Sequence, residues 1–290
     1  MIGDREIDIG EARLHVHDGG LCTALPPIVL EAGNGSILQT WSGIEQALVA
    51  HTRVLAYERA GIGRSSAPRG GVLSAAVARR LDALLDASKL EGRVILVGHS
   101  LGGLFMRYYA ATRPGRVAGL VLLDTTPQDF PFPRFFTLKP AVLMWLLHGL
   151  ARVGLLDKLV QRLKAKGKAS DLSVELVDAI GRHRHVKTVL EEISALETIQ
   201  AEVAALAPAT PVPTLTISAG KHDPRISPSH AEHFRRSHEA IAAAGAAPYS
   251  RHHRFEEGTH MSMLTEPANA KRVAALILDF ARQIAPGASA

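Results

Sequence analysis

Gly98-His99-Ser100-Leu101-Gly102-Gly103 is the stretch on which the reading of this chain turns. It follows Arg93-Val94-Ile95-Leu96-Val97, a short apolar run with the character of a buried strand, and it opens the amphipathic segment from Leu101 to Arg113. A serine between glycines, with a strand before it and a helix after it, satisfies both the G-x-S-x-G pattern and the setting that the pattern requires. The turn forces the serine into a strained backbone conformation, and the glycines let strand and helix approach without Cβ collisions. Ser100 Oγ is then presented above the sheet edge. The first turn of the helix leaves N–H groups unpaired at the positive end of the helix dipole, so the Leu101 N–H is a natural donor to an oxyanion.

Similar apolar runs recur on both sides of this turn: Pro27-Ile28-Val29-Leu30, Arg53-Val54-Leu55-Ala56-Tyr57, Leu120-Val121-Leu122-Leu123 and Thr214-Leu215-Thr216-Ile217. They are nearly continuous rather than alternating, as strands covered on both faces of a parallel sheet are. Between them lie segments of helical length and spacing, Leu38 to Ala50, Leu73 to Lys89, Leu101 to Arg113 and Ser229 to Ala244, with a closing helix from Ala270 to Ile284. The expected fold class is α/β, a mostly parallel wound sheet with flanking helices. Glu6 to His17 alternates around Gly10 and reads as an antiparallel hairpin on the sheet edge.

The strand–helix alternation stops after Leu123 and resumes near Pro211. Residues 128–207 read as helices and loops alone, bracketed by Pro127, Pro131 and Pro133 on entry and by Pro208, Pro211 and Pro213 on exit. The expectation is a core of residues 1–127 and 208–290 carrying an inserted helical cap. The apolar stretch Leu143-Met144-Trp145-Leu146-Leu147 would either roof an acyl pocket or pack the cap on the core, and an apolar cap face leaves oligomeric assembly open.

Composition narrows the function classes. The 290 residues are 47% hydrophobic and 21% charged, which suits a folded globular chain. The net charge of +5 is spread along the sequence, densest from Lys158 to Lys168, and reads as a solvated helix face, with no motif for nucleic acid. Cys22 is the only cysteine, so no intrachain disulfide and no cysteine-based zinc site can form. Charged residues occupy the N-terminus where a secretory leader would be apolar, and the expected location is cytoplasmic. His148, Gly149 and Arg152 interrupt the most apolar stretch well before the ~20 residues of a transmembrane helix. The pairs His183/His185 and His230/His233 lack the spacing of a zinc motif, so neither metal nor cofactor is expected.

With its elbow, its strand order and an insertion at the usual position, the chain resembles the α/β-hydrolase superfamily over nearly its whole length. The resemblance assigns further loops. Glu31-Ala32-Gly33-Asn34-Gly35-Ser36 stands where the family has a His-Gly loop with the second oxyanion donor, here the Asn34 N–H, and Ala32 replaces the usual histidine. Tyr57-Glu58-Arg59-Ala60-Gly61-Ile62-Gly63-Arg64-Ser65 is similar to the family's Asp-Arg-x-Gly-x-Gly-x-Ser loop, with Arg59 tying loops near the site. Ser218-Ala219-Gly220-Lys221-His222-Asp223 matches the Gly-x-x-Asp turn and makes Asp223 the preferred catalytic acid. Asp124, ending the strand before the insertion, is the alternative acid, at a place where some members carry theirs. His260, in Phe255-Glu256-Glu257-Gly258-Thr259-His260-Met261, is the base, which puts the triad in the chain order Ser100, Asp223, His260.

What the resemblance implies is a cofactor-free serine hydrolase acting through an acyl-enzyme on a carboxylic ester, thioester or lactone. Its substrate would be a small molecule with an apolar acyl or alcohol part. Serine at the elbow disfavours dehalogenase and epoxide hydrolase chemistry, which needs a carboxylate nucleophile. A lyase, a cofactor-free oxygenase or a ligand receptor on the same scaffold remains the alternative.

Overall fold

The computed structural model describes residues 2–130, 135–168, 170–206, 212–221 and 227–285. Strands β1 (Ile2–Asp8), β2 (Arg13–Gly20), β3 (Ile28–Glu31), β4 (Arg53–Tyr57), β5 (Val94–His99), β6 (Val117–Leu123), β7 (Thr214–Ala219) and β8 (Arg251–Phe255) form one sheet in the order β1-β2-β4-β3-β5-β6-β7-β8. β1 pairs antiparallel with β2, β2 pairs antiparallel with β4, and every other pairing is parallel. The hairpin extends further on both sides of Gly10 than Glu6 to His17, because β2 runs on to pair with β4.

Alternation of side chains across the pleat divides the interior into two cores. Val29, Leu55, Leu96, Leu120 and Leu122 face one side and pack on α2 (Ser74–Ala87), α3 (Leu101–Thr112) and part of α8 (Leu196–Ala204). Ile28, Leu30, Val54, Ile95, Val97 and Val121 face the other and pack on α1 (Ser42–Leu48) and α11 (Pro267–Ile284). Each such side chain, taken fully out of water, contributes roughly 1.5–3 kcal/mol. β5 lies at the centre, covered on both faces, which is why its sequence is continuously apolar. The segment from Leu38 begins as a 3₁₀ turn, Leu38–Trp41, before α1.

Between β6 and β7 stand α4 (Phe135–Arg152), α5 (Leu155–Ala165), α6 (Asp171–Gly181), α7 (His183–Ser194) and α8, and no strand is found there among the described residues. α9 (Pro228–Ala243) and the short α10 (Ser262–Thr265) complete the order. Leu143, Trp145 and Leu146 of α4 are exposed, whereas Met144 and Leu147 are half-buried. No helix of the described residues is long and apolar enough to cross a membrane.

Candidate active site

Ser100 sits between β5 and α3 with φ 53° and ψ −123°, in a region an L-residue occupies only when its surroundings hold it there. Those surroundings are visible. The Ser100 N–H donates to Leu123 O at 3.1 Å, and Ser100 O accepts from the Thr126 N–H at 3.1 Å and the Gly103 N–H at 3.0 Å, which staples the turn to the end of β6. A Cβ on Gly98 would lie 2.7 Å from Gly103 Cα, and one on Gly102 would lie 2.5 Å from Ala32 O, so both positions must be glycine for strand, helix and neighbouring loop to meet.

The end of β6 supplies a carboxylate. Asp124, at φ 41°, donates its N–H to Ile217 O at 2.7 Å and is thereby fixed between β6 and β7. Its Oδ1 accepts from the Ala219 N–H at 3.0 Å, and its Oδ2 lies 2.7 Å from His260 Nδ1. Burial pushes the Asp124 carboxyl upward, but the hydrogen bond and charge of His260, the nearby His238 and the Ala219 N–H outweigh burial and hold it well below the usual carboxylate range. The contact with His260 Nδ1 is thus made by Asp124, from the strand before the insertion. Asp223, the acid preferred from sequence, lies outside the described residues.

His260 follows β8 on a loop closed by reciprocal bonds, Thr259 N–H to Ser262 Oγ at 2.8 Å and Ser262 N–H to Thr259 Oγ1 at 3.2 Å. The ring of His99 lies 4.5 Å from the His260 ring, and His99 Nε2 contacts His260 O at 3.0 Å. That contact requires the proton on Nε2. Burial, reinforced by His260, lowers His99 to about 3, so it stays neutral and adds no positive charge beside His260.

Ser100, Leu101, Asp124, His260 and Asn34 line one cavity of about 280 Å³. The Leu101 N–H belongs to the first turn of α3 and has no intrahelical acceptor, and the Asn34 N–H meets no acceptor among the described residues. Glu192, Ile193 and Leu196 roof the cavity from α7 and α8, whereas no residue of the apolar stretch in α4 reaches its wall.

The loop carrying Asn34 is held from below by charge. Arg59 donates to Gly33 O at 3.1 Å, to Ala32 O, and to both oxygens of Glu192 at 2.7 and 2.9 Å, and it also pairs with Glu31. Tyr57 donates its hydroxyl to the other Glu31 oxygen. Burial would lower the Arg59 guanidinium, but Glu192 and Glu31 more than reverse this and raise it, while burial raises Glu31. Asn34 Nδ2 donates to Glu192 Oε2 at 2.8 Å and to Val189 O at 3.1 Å, so α7 is tied directly to the Asn34 loop. No motif marks Glu192 in the sequence. The same holds for His238 on α9, which lines the cavity and joins Thr125 O to Ser218 Oγ, both at 2.7 Å.

A serine hydroxyl in a strained turn, an imidazole oriented by a carboxylate, and two free N–H groups on one cavity can together move a proton and stabilise a developing oxyanion. The family model for the alpha/beta hydrolase fold matches residues 26–267. A 2-hydroxy-6-oxononadienedioate/2-hydroxy-6-oxononatrienedioate hydrolase of Paraburkholderia xenovorans is 29% identical over 197 residues, covering 64% of this chain and 66% of that protein. The chain spans only 21%, 40% and 42% of the length of three other curated relatives that it matches. Among solved structures, the enol-lactonase of Burkholderia xenovorans superposes with a TM-score of 0.67 at 22% identity, covering 95% of this chain and 99% of that one. A thermophilic esterase of Thermogutta terrifontis superposes with a TM-score of 0.65 at 21% identity, covering 98% and 100%. These two likenesses show the fold, and the family match over most of the length shows membership: the chain belongs to the alpha/beta hydrolase fold family.

Proposed function

We propose that the protein is a serine hydrolase that cleaves a carboxylic ester, thioester or lactone through an acyl-enzyme on Ser100. The observation that carries this reading is the 2.7 Å contact between His260 Nδ1 and Asp124 Oδ2 on the same cavity as the strained Ser100. Asp124 accepts the Nδ1 proton and so leaves Nε2 as the free base of the neutral ring. His260 Nε2 takes the Ser100 proton as Oγ attacks the acyl carbon, and the Leu101 and Asn34 N–H groups receive the oxyanion. The imidazolium then protonates the leaving group, and water attacks the acyl-enzyme with the same histidine as base. Each oxyanion donor is worth about 3 kcal/mol of barrier. Asp124 is therefore assigned as the acid in place of Asp223.

Leu101, Ile193, Leu196, Ala219 and Phe234 give the cavity apolar walls, which suit a substrate with an apolar acyl or alcohol part. The five helices between β6 and β7 act as the cap, contributing Ile193 and Leu196 to that wall. The test is covalent labelling with a fluorophosphonate together with turnover of short-chain p-nitrophenyl esters. Wild type labels on Ser100 and turns over, and Ser100→Ala does neither while melting close to wild type. Labelling at another residue, or ordinary turnover by the alanine variant, would overturn the assignment.

A further inference from the structure

Outside the cavity, one group of side chains on the edge hairpin makes contacts that no arrangement of protons satisfies. Asp4 on β1 and His15 and His17 on β2 each offer a metal-ligating atom, and the three atoms lie within 4.8 Å of one another. His15 and His17 are two residues apart on one strand and so share a face, and Asp4 is the cross-strand partner of His17.

One nitrogen of each ring already has a carboxylate partner. His15 Nδ1 lies 2.9 Å from Glu58 Oε2, and His17 Nδ1 lies 3.0 Å from Glu45 Oε2, with both carboxylates buried. In the neutral ring, an acceptor on Nδ1 holds the proton there and leaves Nε2 with its lone pair, the carboxylate–histidine arrangement that orients and strengthens metal-binding imidazoles. His15 Nε2, however, has Asp4 Oδ1 at 2.7 Å and Arg64 Nη1 at 3.0 Å. Arg64 can only donate, so its contact needs the lone pair, whereas the Asp4 carboxylate can only accept, so its contact needs a proton on the same nitrogen. One nitrogen cannot meet both demands. A cation bound by the lone pair of His15 and by the Asp4 carboxylate meets them together, and Arg64, also 2.9 Å from Asp4 Oδ2, is the cation drawn to that place within the chain.

The geometry points to a divalent transition-metal site formed by His15, His17 and the Asp4 carboxylate, with Zn²⁺ as an ion that two histidines and one carboxylate can hold. Two ligands each about 2.0 Å from a tetrahedral ion stand about 3.3 Å apart, so the widest gap among atoms within 4.8 Å of one another closes by about 1.5 Å. Arg64 and Asp4 are each about half exposed, so the guanidinium can leave for solvent and a water can complete the shell. No residue of this group lines the active-site cavity, which makes the ion a staple of the edge hairpin rather than a participant in acyl transfer.

The experiment is titration of the chelator-stripped full chain with Zn²⁺ by calorimetry, with thermal melting alongside. One Zn²⁺ per chain should bind at micromolar concentration or below, with a rise in melting temperature, because the ion binds the folded state. His17→Ala and Asp4→Ala should abolish both signals. Glu45→Gln should weaken binding by about ten-fold, as loss of an outer-shell carboxylate does. Arg64→Ala should tighten it by removing the competing cation. His15 is buried, so its substitution is avoided in favour of the two more accessible ligands. Absence of stoichiometric binding in wild type, or binding unchanged in folded His17→Ala, would overturn the site, and so would an Arg64→Ala variant that binds more weakly. Ester turnover by Ser100 should be the same with and without Zn²⁺, so failure here leaves the hydrolase reading standing.

Discussion

Replacing Asp124 by asparagine keeps the shape of the side chain and changes one of its two terminal atoms from acceptor to donor. The structure decides which one. Oδ1 accepts the Ala219 N–H at 3.0 Å, so the amide oxygen must stay on that side and the NH₂ must face His260 Nδ1, where Oδ2 now stands at 2.7 Å. A donor facing Nδ1 requires the lone pair on Nδ1 and the proton on Nε2, and a protonated Nε2 cannot accept the Ser100 proton. The charge that would stabilise the imidazolium is lost as well. The same exchange in a serine triad costs about 10⁴ in kcat, equivalent to ~5 kcal/mol of barrier. Asp124→Asn should therefore show p-nitrophenyl ester turnover reduced by about three to four orders of magnitude, with a melting temperature near wild type. Asp223→Asn should stay within an order of magnitude of wild type. If Asp124→Asn keeps more than a tenth of the activity while Asp223→Asn loses the larger factor, the assignment of the acid from the Asp124–His260 contact is wrong.

Acid should destabilise the fold through its buried neutral histidines. Burial lowers His99 to about 3 and His185 to about 4, against about 6.5 in an unfolded chain. The unfolded state binds more protons as pH falls, so the stability present above pH ~6.5 is lost towards the folded values, at ~2 kcal/mol for each of the two by pH 5. His17, raised by its hydrogen bond to Glu45, works in the opposite direction and offsets part of this. A melting temperature that does not fall between pH 7 and pH 5 would contradict it. Arg59→Met leaves Glu31 and Glu192 buried without their shared cation and should cost ~3–5 kcal/mol, read as a lower urea midpoint. An unchanged midpoint would mean that the cluster is not held by charge. Gly102→Ala places a Cβ 2.5 Å from Ala32 O and 2.6 Å from Glu31 O, which pushes the Asn34 loop away from the elbow. Turnover should fall by about a hundred-fold, the scale of an ångström's misplacement, and a fully active alanine variant would remove the Asn34 N–H from the mechanism.

Local chemistry made much of the fold readable in advance. The five quoted apolar runs are strands, because a strand covered on both faces must be continuously apolar, and the serine between glycines after Val97 carries the positive φ that such a turn demands. β8 was harder to see. Its sequence, Arg251-His252-His253-Arg254-Phe255, is polar because it is an edge strand with a single sheet neighbour, and periodicity finds no buried face there.

The choice of partner for His260 is not written in the sequence for a different reason. Asp124 follows β6 directly and Asp223 comes later in the sequence than β7, and choosing between them depends on which carboxylate stands beside a histidine that lies 136 residues from Asp124 along the chain. The Arg59–Glu192 pair, 133 residues apart, and the Asn34–Glu192 contact are equally silent in the sequence, since an isolated glutamate in a helical segment has no neighbours to reveal its partner. Backbone strain, burial and turn chemistry act over a few residues and leave their marks in the sequence. Hydrogen bonds between side chains on different elements depend on how the sheet twists and how the helices pack, and only the tertiary structure decides them.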